Sequence, residues 1–312
     1  MRQITISLTL ILCLGALPAQ AADKLTVLLD WFVNPDHATL IIAQEKGFFA
    51  QAGLEVELTA PANPNDPPKL VAARKADLAI SYQPQLHLHV DRGLPLRRIA
   101  TLVGTPLSSL VVLRDGPIKA IADLKGRKIG FSVGGFEDAI LGAMLRKAGL
   151  SLEDVTLINV NFSLSPSLIS GQVDAVIGAY RNFELNQMDI VKRPGRAFYV
   201  EEEGVPAYDE LIVVAHADRL GDARLGRFVT ALEAAVLFLI NHPAQGWDLF
   251  IKGHKDLNDE LNRRAFRDTL PRFALRPAAL DQGRYRRMAQ FLKDQGLIGA
   301  VRPVSDYAVE LK

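Results

Sequence analysis

Cysteine is almost absent from this sequence: the 312 residues contain one, Cys13, which lies in an apolar N-terminal run. From about Ala22 onward there is none, which excludes a disulfide framework, a thiolate metal site and a cysteine nucleophile in the rest of the chain. The residues before Cys13 are large and apolar, unlike the small residues that a lipid-modified cysteine needs. We therefore expect the folded protein to be held together by its hydrophobic core alone, for which a chain of about 290 residues is ample.

The sequence also lacks an excess of charge of either sign. Its 36 Lys and Arg residues nearly balance 35 Asp and Glu residues, for a net charge of +1. This balance argues against nucleic acid or an anionic membrane surface as the main partner. Neither an H-E-x-x-H metal motif nor a G-x-S-x-G nucleophile elbow occurs. We therefore predict no catalytic residue, no metal and no cofactor.

The N-terminus has the layout of a secretory signal peptide. Arg2 gives a short positive start, residues 4 to 17 are almost entirely apolar, and Ala19-Gln20-Ala21 is a small-x-small cleavage site. The apolar run is shorter than the roughly 20 residues of a comfortable membrane span, although an uncleaved anchor is an alternative. We expect residues 1–21 to be removed and the protein to be periplasmic.

Strand and helix patterns alternate along the rest of the chain, which predicts an α/β architecture. Two units share one plan. Each has a helix that ends in Ala-Gly-Leu (52–54 and 148–150), and each has an aspartate just before an apolar strand (Asp77 and Asp174). With a length suggesting two domains of about 150 residues, this repeat predicts two lobes, each a mostly parallel sheet flanked by helices.

Two further strands, predicted at 110–113 and 211–214, fit as connections by which the chain crosses between the lobes. On this interpretation lobe 1 comprises 22–113 and 211–312, with the C-terminal helices, and lobe 2 comprises 114–210. The two crossings would form a hinge near 114–117 and 207–210, about which the lobes close on a ligand.

Ligands of open α/β sheets bind beyond the carboxyl ends of the strands, which selects four loops as the candidate binding site. Their aromatic residues could sandwich a flat ring, and their polar residues could read its edge. Asp30 and Glu184 favour a ligand with amino groups or a protonatable ring nitrogen. The candidates are Asp30, Trp31, Asn34, His37, Ser81, Tyr82 and Gln83 in lobe 1, and Gly134, Gly135, Phe136, Tyr180, Asn182 and Glu184 in lobe 2.

Several of these residues have a second interpretation. Trp31 and Tyr82 could be ordinary packing residues at the lobe boundary. Gly134-Gly135 could offer backbone N–H groups to a phosphate or could only close a tight turn. His37 could reach the ligand or could be a polar residue of a first helical turn.

The sequence resembles a known family at these same positions. Leu29-Asp30-Trp31-Phe32 with 34–37 and 43–49, then Ser81-Tyr82-Gln83 and 178–184, resemble motifs of the thiamin-precursor solute-binding family. Asp123-Leu124-Lys125-Gly126 is shared more widely among type II periplasmic binding proteins. The resemblance extends to about residue 250.

The resemblance implies a two-lobed type II periplasmic-binding-protein fold. It also implies a monomer that captures a formylaminopyrimidine or hydroxymethylpyrimidine and delivers it to an ABC permease. By that likeness, Trp31, Tyr82 and Tyr180 would stack on the ring. Asp30, Asn182 and Glu184 would contact its ring nitrogens and amino group. The same fold with another ligand, such as a flavin, a sulfonate or nitrate, is an alternative.

The same superfamily includes the fungal thiamin-pyrimidine synthase, an iron-dependent enzyme that consumes pyridoxal phosphate. That branch carries a lysine, a histidine and a cysteine cluster. Here the lysine and histidine positions correspond to Ser81 and Gln85, and the cysteines are missing. Without a Schiff-base amine this chemistry has no nucleophile, so we expect a binder rather than an enzyme.

Overall fold

The structure, a computed structural model, describes residues 21–311, which form two five-stranded mixed sheets flanked by helices. The predicted signal peptide, residues 1–21, lies outside the described residues except for Ala21. The first sheet contains β1 (Asp23–Leu28), β2 (Leu54–Thr59), β3 (Leu78–Ser81), β4 (Leu96–Val103) and β10 (Leu211–His216). The second contains β5 (Ser108–Leu113), β6 (Lys128–Phe131), β7 (Thr156–Asn159), β8 (Ala175–Tyr180) and β9 (Gly195–Tyr199).

The two sheets have the same strand arrangement, as the repeated sequence plan predicts. Their orders are β2-β1-β3-β10-β4 and β7-β6-β8-β5-β9. In each sheet four of the five strands run in the same direction. The exception is the strand in the fourth position of the order, β10 or β5, which is antiparallel to both its neighbours. Strand β10 joins the first sheet after the chain has passed through the second, whereas β5 directly precedes β6 in the chain.

The two repeated aspartates make equivalent hydrogen bonds. Asp77, just before β3, accepts from the backbone N–H of Thr26 in β1 at 3.0 Å. Asp174, just before β8, accepts from the backbone N–H of Lys128 in β6 at 2.9 Å. Each aspartate therefore fixes the register at the start of the central parallel pair.

The first crossing between the sheets lies earlier than the sequence predicts. Strand β5 pairs with β8 and β9, so 108–113 belongs to the second sheet. The chain therefore crosses at 104–107, and the predicted boundary at 113/114 and hinge at 114–117 are wrong. The apolar sequence of a strand indicates that the strand is buried, but it does not indicate which sheet the strand joins. The return crossing runs between the end of β9 and the start of β10, and the predicted 207–210 lies within it.

The helices cover both faces of the two sheets. They are α1 (Ala38–Glu45), α2 (Phe48–Gln51), α3 (Pro67–Ala72), α4 (Gln83–Asp91), α5 (Glu137–Lys147), α6 (Leu164–Ser170), α7 (Glu184–Ile190), α8 (Ala223–Asn241), α9 (Pro243–Lys252), α10 (Glu260–Thr269) and α11 (Gln282–Asp294). The long helix α8 is capped by Asp222, whose side chain accepts from the N–H of Arg224. The helix buries a stripe of apolar residues.

The entry to α1 is capped by Asn34 rather than by Asp36, although an aspartate just before a helix commonly caps it. Pro35–His37 forms a short 3₁₀ turn, and Asn34 is its N-cap residue, accepting from the N–H of Asp36 at 2.8 Å. The Asp36 side chain is thus free of a capping role and points into buried space. Within residues 21–311, no helix is long and apolar enough to cross a membrane.

Candidate ligand-binding site

A cleft between the two sheets encloses about 510 Å³ of empty space, part of it open to solvent. Residues from both sheets line it, most of them at the carboxyl ends of strands β1, β3, β6 and β8 or in the helical turns that follow. The lining residues are Asp30, Trp31, Asn34, Asp36, His37, Tyr82, Ser108, Phe136, Glu137, Leu164, Gly178, Tyr180, Phe183, Glu184 and Leu211.

On the first sheet's side, Asp30 is the centre of a buried hydrogen-bond network. One of its carboxylate oxygens, Oδ1, lies 2.9 Å from Nε2 of His37, and the other accepts the Tyr82 hydroxyl at 2.8 Å. The N–H of Asn34 donates to Nδ1 of His37 at 3.4 Å, which directs the Nε2 hydrogen toward Asp30. Both oxygens of Asp30 are therefore engaged, so this carboxylate fixes the cleft wall.

On the second sheet's side, two glutamates occupy equivalent positions. Glu137 is the first residue of α5, and its Oε2 accepts from the backbone N–H of Ser132 at 2.7 Å. Glu184 is the first residue of α7, and its Oε2 accepts from the backbone N–H of Tyr180 at 2.6 Å. Each carboxyl group is thus held back against the end of the preceding strand, with its other oxygen free for a ligand.

A buried contact joins the two sides of the cleft. The Asn182 amide donates to Oδ1 of Asp36 at 2.6 Å and to the Thr269 hydroxyl at 2.7 Å. The Thr269 hydroxyl, at the end of α10, lies 2.8 Å from the same Asp36 oxygen. Because Asn182 belongs to the second sheet's half and the others to the first, these hydrogen bonds link the two sides of the cleft.

Aromatic rings form much of the remaining wall. The ring of Tyr82 stacks on that of Phe136 across the cleft, with centroids 5.0 Å apart and planes 13° apart. Trp31 meets Phe162 edge to face at 4.6 Å. These rings provide the apolar body in which a flat heterocycle could be held.

The cleft is rich in carboxyl groups, and none of the described residues that line it is Lys or Arg. Burial raises the pKa of Glu137 to about 8, that of Glu184 to about 7 and that of Asp36 to about 6. Desolvation is the largest cause in each case, because a charged group loses its hydration there. Such a site favours a ligand that brings hydrogen-bond donors or positive charge.

Of the thirteen residues selected from the sequence, eight line the cleft and five do not. The eight are Asp30, Trp31, Asn34, His37, Tyr82, Phe136, Tyr180 and Glu184. The five are Ser81, Gln83, Gly134, Gly135 and Asn182.

Three of the five are engaged elsewhere by their side chains. Ser81 donates to Oε1 of Gln85 at 2.8 Å, behind the cleft wall. Gln83 accepts from the N–H of Asp209, in the return crossing, at 2.8 Å. Asn182 lies in the bridge to Asp36 described above.

One N–H group of the diglycine already has a partner. The N–H of Gly134 donates to Oδ1 of Asn65 at 2.9 Å, and Gly135 lies next to the Arg92 side chain with φ +83°. The positive φ of Gly135 fits the tight turn that was one of the two interpretations of this pair.

Sequence reasoning missed Asp36, Ser108, Glu137, Leu164, Gly178, Phe183 and Leu211. Glu137 had a signal that could have found it. It follows the end of β6 in the same way that Glu184 follows the end of β8. Asp36 was hidden because an aspartate before a helix is ordinarily a cap.

Comparison with known proteins gives a consistent result. The family described as "NMT1/THI5 like" matches residues 34–246. A protein from Haemophilus influenzae named for thiamine biosynthesis is 53% identical over 297 residues, covering 95% of each chain. A formylaminopyrimidine-binding protein from Halalkalibacterium halodurans is 33% identical, covering 77% of this chain and 73% of that one.

Fungal enzymes are also related. A 4-amino-5-hydroxymethyl-2-methylpyrimidine phosphate synthase from Schizosaccharomyces pombe is 26% identical, covering 79% of this chain and 74% of that one.

Solved structures establish the fold. A Candida albicans protein described as having the generic periplasmic binding protein fold superposes with a TM-score of 0.73 at 15% identity, covering 93% and 97% of the two chains. The alkanesulfonate-binding protein SsuA from Xanthomonas axonopodis pv. citri, bound to MOPS, gives a TM-score of 0.72 at 16% identity, covering 93% and 99%. The two-lobed type II architecture predicted from the sequence is therefore confirmed.

Proposed function

The chain belongs to the NMT1/THI5-like family, and on that premise we propose that it is the solute-binding component of an ABC importer for a thiamin-related aminopyrimidine. It would act outside the cytoplasm, as a monomer, and deliver its ligand to a membrane permease. The formylaminopyrimidine-binding relative supports a ligand of this class.

The observation that carries the proposal is the composition of the cleft. Aromatic rings line the cleft. Carboxyl groups such as that of Glu184, which has one oxygen bonded to the backbone, line it beside these rings. An aminopyrimidine matches both features, because its ring is flat and its edge carries N–H donors beside ring nitrogens. The aromatic side chains would hold the faces of the pyrimidine ring, and the polar side chains would set its orientation.

The same composition argues against an anionic ligand, although a sulfonate-binding protein shares the fold. A sulfonate or nitrate would enter a buried space next to Asp30, Asp36 and the two glutamates, with no lining Lys or Arg among the described residues to offset its charge. Burying like charges together without a partner is strongly unfavourable. A neutral or cationic heterocycle meets no such penalty.

The cleft also argues against the chemistry of the fungal synthases. No lysine lines it among the described residues, so no amine is placed to form a Schiff base. The position of the fungal lysine is taken by Ser81, whose hydroxyl faces Gln85 rather than the cleft. We propose a binder without enzymatic activity.

Isothermal titration calorimetry with formylaminopyrimidine, hydroxymethylpyrimidine, thiamin and an alkanesulfonate tests the proposal. We expect at least one of the two aminopyrimidines to bind with a Kd of about 1 μM or tighter, and the sulfonate not to bind. Failure of every pyrimidine to bind at this level would contradict the proposed ligand class.

A further inference from the structure

Glu137 has the geometry of a ligand-contacting residue, although its sequence context suggests only the start of a helix. It and Glu184 are placed alike, each as the first residue of a helix that follows one of two adjacent strands, β6 and β8. Each uses its Oε2 to accept a backbone N–H from the end of the preceding strand. The cleft therefore has two glutamates where the family motif suggests one.

The second oxygen of Glu137 is available to a ligand. The side chain is buried, with 4% of its surface exposed, and it lines the cleft. The hydrogen bond from the Ser132 N–H goes to its Oε2 rather than to its Oε1. The hydroxyl of Tyr180, which also lines the cleft, is buried without a partner among the described residues. Buried polar atoms are nearly always hydrogen-bonded, so this hydroxyl points to a bound partner beside Glu137.

The surroundings of Glu137 contain acidic groups, and none of the described residues that line the cleft is Lys or Arg. Asp138 on its own helix and Glu210 in the return crossing both disfavour its charged form, and the Tyr82 phenol faces it from the first sheet's side. Asp30, Asp36 and Glu184 share the cleft, and His37, the basic group among its described lining residues, is paired with Asp30. Several buried carboxyl groups in one cleft disfavour each other's ionisation.

Glu137 is the group best placed to retain a proton. Asp30 is bonded to both His37 and Tyr82, and Asp36 accepts from the side chains of Asn182 and Thr269. The carboxyl group of Glu137 is instead held by the backbone of Ser132 and Val133. Its burial accordingly raises its pKa to about 8, so that at neutral pH it is a carboxylic acid. A protonated carboxyl group is a hydrogen-bond donor.

We propose that Glu137 is a second ligand-contacting residue of this site, and that it acts as a neutral carboxylic acid that donates its hydrogen to a ring nitrogen. Glu184 accepts from an N–H donor of the same ligand. The pair thus selects a heterocycle that has an acceptor nitrogen in the ring and an exocyclic amino group. This inference rests on the proposed function, because it assigns the contacts of the same site.

Calorimetry with hydroxymethylpyrimidine at pH 7 and pH 9 tests the assignment on four full-length proteins: wild type, Glu137→Gln, Glu137→Met and Glu153→Gln. Glutamine can keep the bond from Ser132 and still offer an N–H, whereas methionine has similar size and no donor. We expect Glu137→Gln to bind within about 3-fold of wild type at pH 7, and Glu137→Met to bind about 10- to 100-fold more weakly. Glu153→Gln, which neutralises an exposed carboxyl group outside the cleft lining, should resemble wild type.

The pH dependence separates a contact from a structural role. Wild-type affinity should fall by about 10-fold between pH 7 and pH 9 as Glu137 loses its proton, and the Glu137→Gln variant should lose this decrease. Wild type and Glu137→Gln both retain Glu184 and Asp36. The difference between the two proteins therefore excludes the contributions of these groups to the pH dependence of the affinity. If Glu137→Met does not fold, as judged by its melting curve, this comparison decides the question alone.

Three results would overturn the inference. Wild-type affinity in Glu137→Met would show that the residue makes no contact. A loss in Glu137→Gln as large as in Glu137→Met would show that the residue accepts a hydrogen bond instead of donating one. An identical decrease between pH 7 and pH 9 in wild type and Glu137→Gln would exclude its titration. In these three cases the wild type still binds the ligand, and only the role of Glu137 is refuted. If the wild type binds no aminopyrimidine, the proposed function itself fails.

Discussion

The carboxyl group of Glu137 occupies the space in which a side chain at position 178 would begin. A Cβ atom built on Gly178 overlaps both carboxyl oxygens of Glu137, and the backbone of Gly178 has φ +90°. Glycine tolerates this conformation without the penalty that other residues meet. Gly178, in β8, therefore makes room for an acidic group that belongs to the neighbouring strand and helix.

Substitution of Gly178 should damage the site more than ordinary backbone strain does. We expect Gly178→Ala to displace Glu137, to destabilise the protein by more than about 2 kcal/mol and to weaken pyrimidine binding by at least about 10-fold. Gly171→Ala is the matched control, because Gly171 also has positive φ, +78°, but open space around its Cβ position. It should cost only about 1 kcal/mol and leave the affinity unchanged. Equal effects of the two variants on affinity, measured by calorimetry, would refute the role of Gly178.

The stability of the ligand-free protein should fall as the pH rises from about 5 to 8. The pKa of Glu137 rises from 4.5 to about 8 on folding, so in this window the folded state holds a proton that the unfolded state has released, and higher pH favours unfolding. Glutamine at position 137 cannot ionise. Glu137→Gln should thus match wild type near pH 5 and melt about 5 °C higher at pH 8. Melting curves of the two proteins that stay parallel across this range would rule out the raised pKa.

Neutralising Glu184 should weaken an aminopyrimidine and not an anion. In Glu184→Gln the oxygen that faces the ligand is replaced by an amide, and we expect a loss of at least about 10-fold in calorimetry with hydroxymethylpyrimidine. If an alkanesulfonate binds at all, its affinity for Glu184→Gln should be higher than for wild type, because the substitution removes a negative charge from the cleft. Glu153→Gln, a change distant from the cleft lining, serves as the control. Tighter pyrimidine binding in Glu184→Gln would speak against a contact to the amino group.

The buried bridge between the two halves should stabilise the closed form. Thr269→Val removes the hydroxyl that contacts both Asn182 and Asp36. We expect the ligand-free variant to have a larger radius of gyration in X-ray scattering and a several-fold weaker affinity, because closure then costs more. Thr230→Val removes an exposed hydroxyl that bonds to Gly226 O at 3.0 Å and should change neither quantity. A scattering curve for Thr269→Val that superposes on wild type would show that the bridge does not control closure.

Much of the fold could be predicted from the sequence because it depends on local patterns. The positions of Asp77 and Asp174 before two apolar strands indicated a duplicated plan, and both aspartates make the same hydrogen bond to the neighbouring strand. The crossing at 104–107 could not be found in this way. Which sheet the strand 108–113 joins depends on pairing with β8 and β9, which are distant in the chain.

The site was predictable where a residue directly follows a strand and was missed where tertiary packing decides its direction. Trp31 and Tyr82 follow their strands closely, Tyr180 ends its strand, and all three line the cleft. Ser81, the last residue of β3, bonds to Gln85, and Gln83, the first residue of α4, bonds to the backbone of Asp209. The sequence-based rule therefore selected the correct loops but not every side chain within them.

Retention of one compound from a mixture tests the central claim most directly. The purified wild-type protein is incubated with equal amounts of hydroxymethylpyrimidine, formylaminopyrimidine, thiamin, riboflavin, an alkanesulfonate and nitrate. Unbound compounds are then removed, and those released on denaturation are identified by mass spectrometry. We predict that an aminopyrimidine is retained at about one equivalent per protein. Retention of the sulfonate or nitrate, or of no compound, would contradict the account.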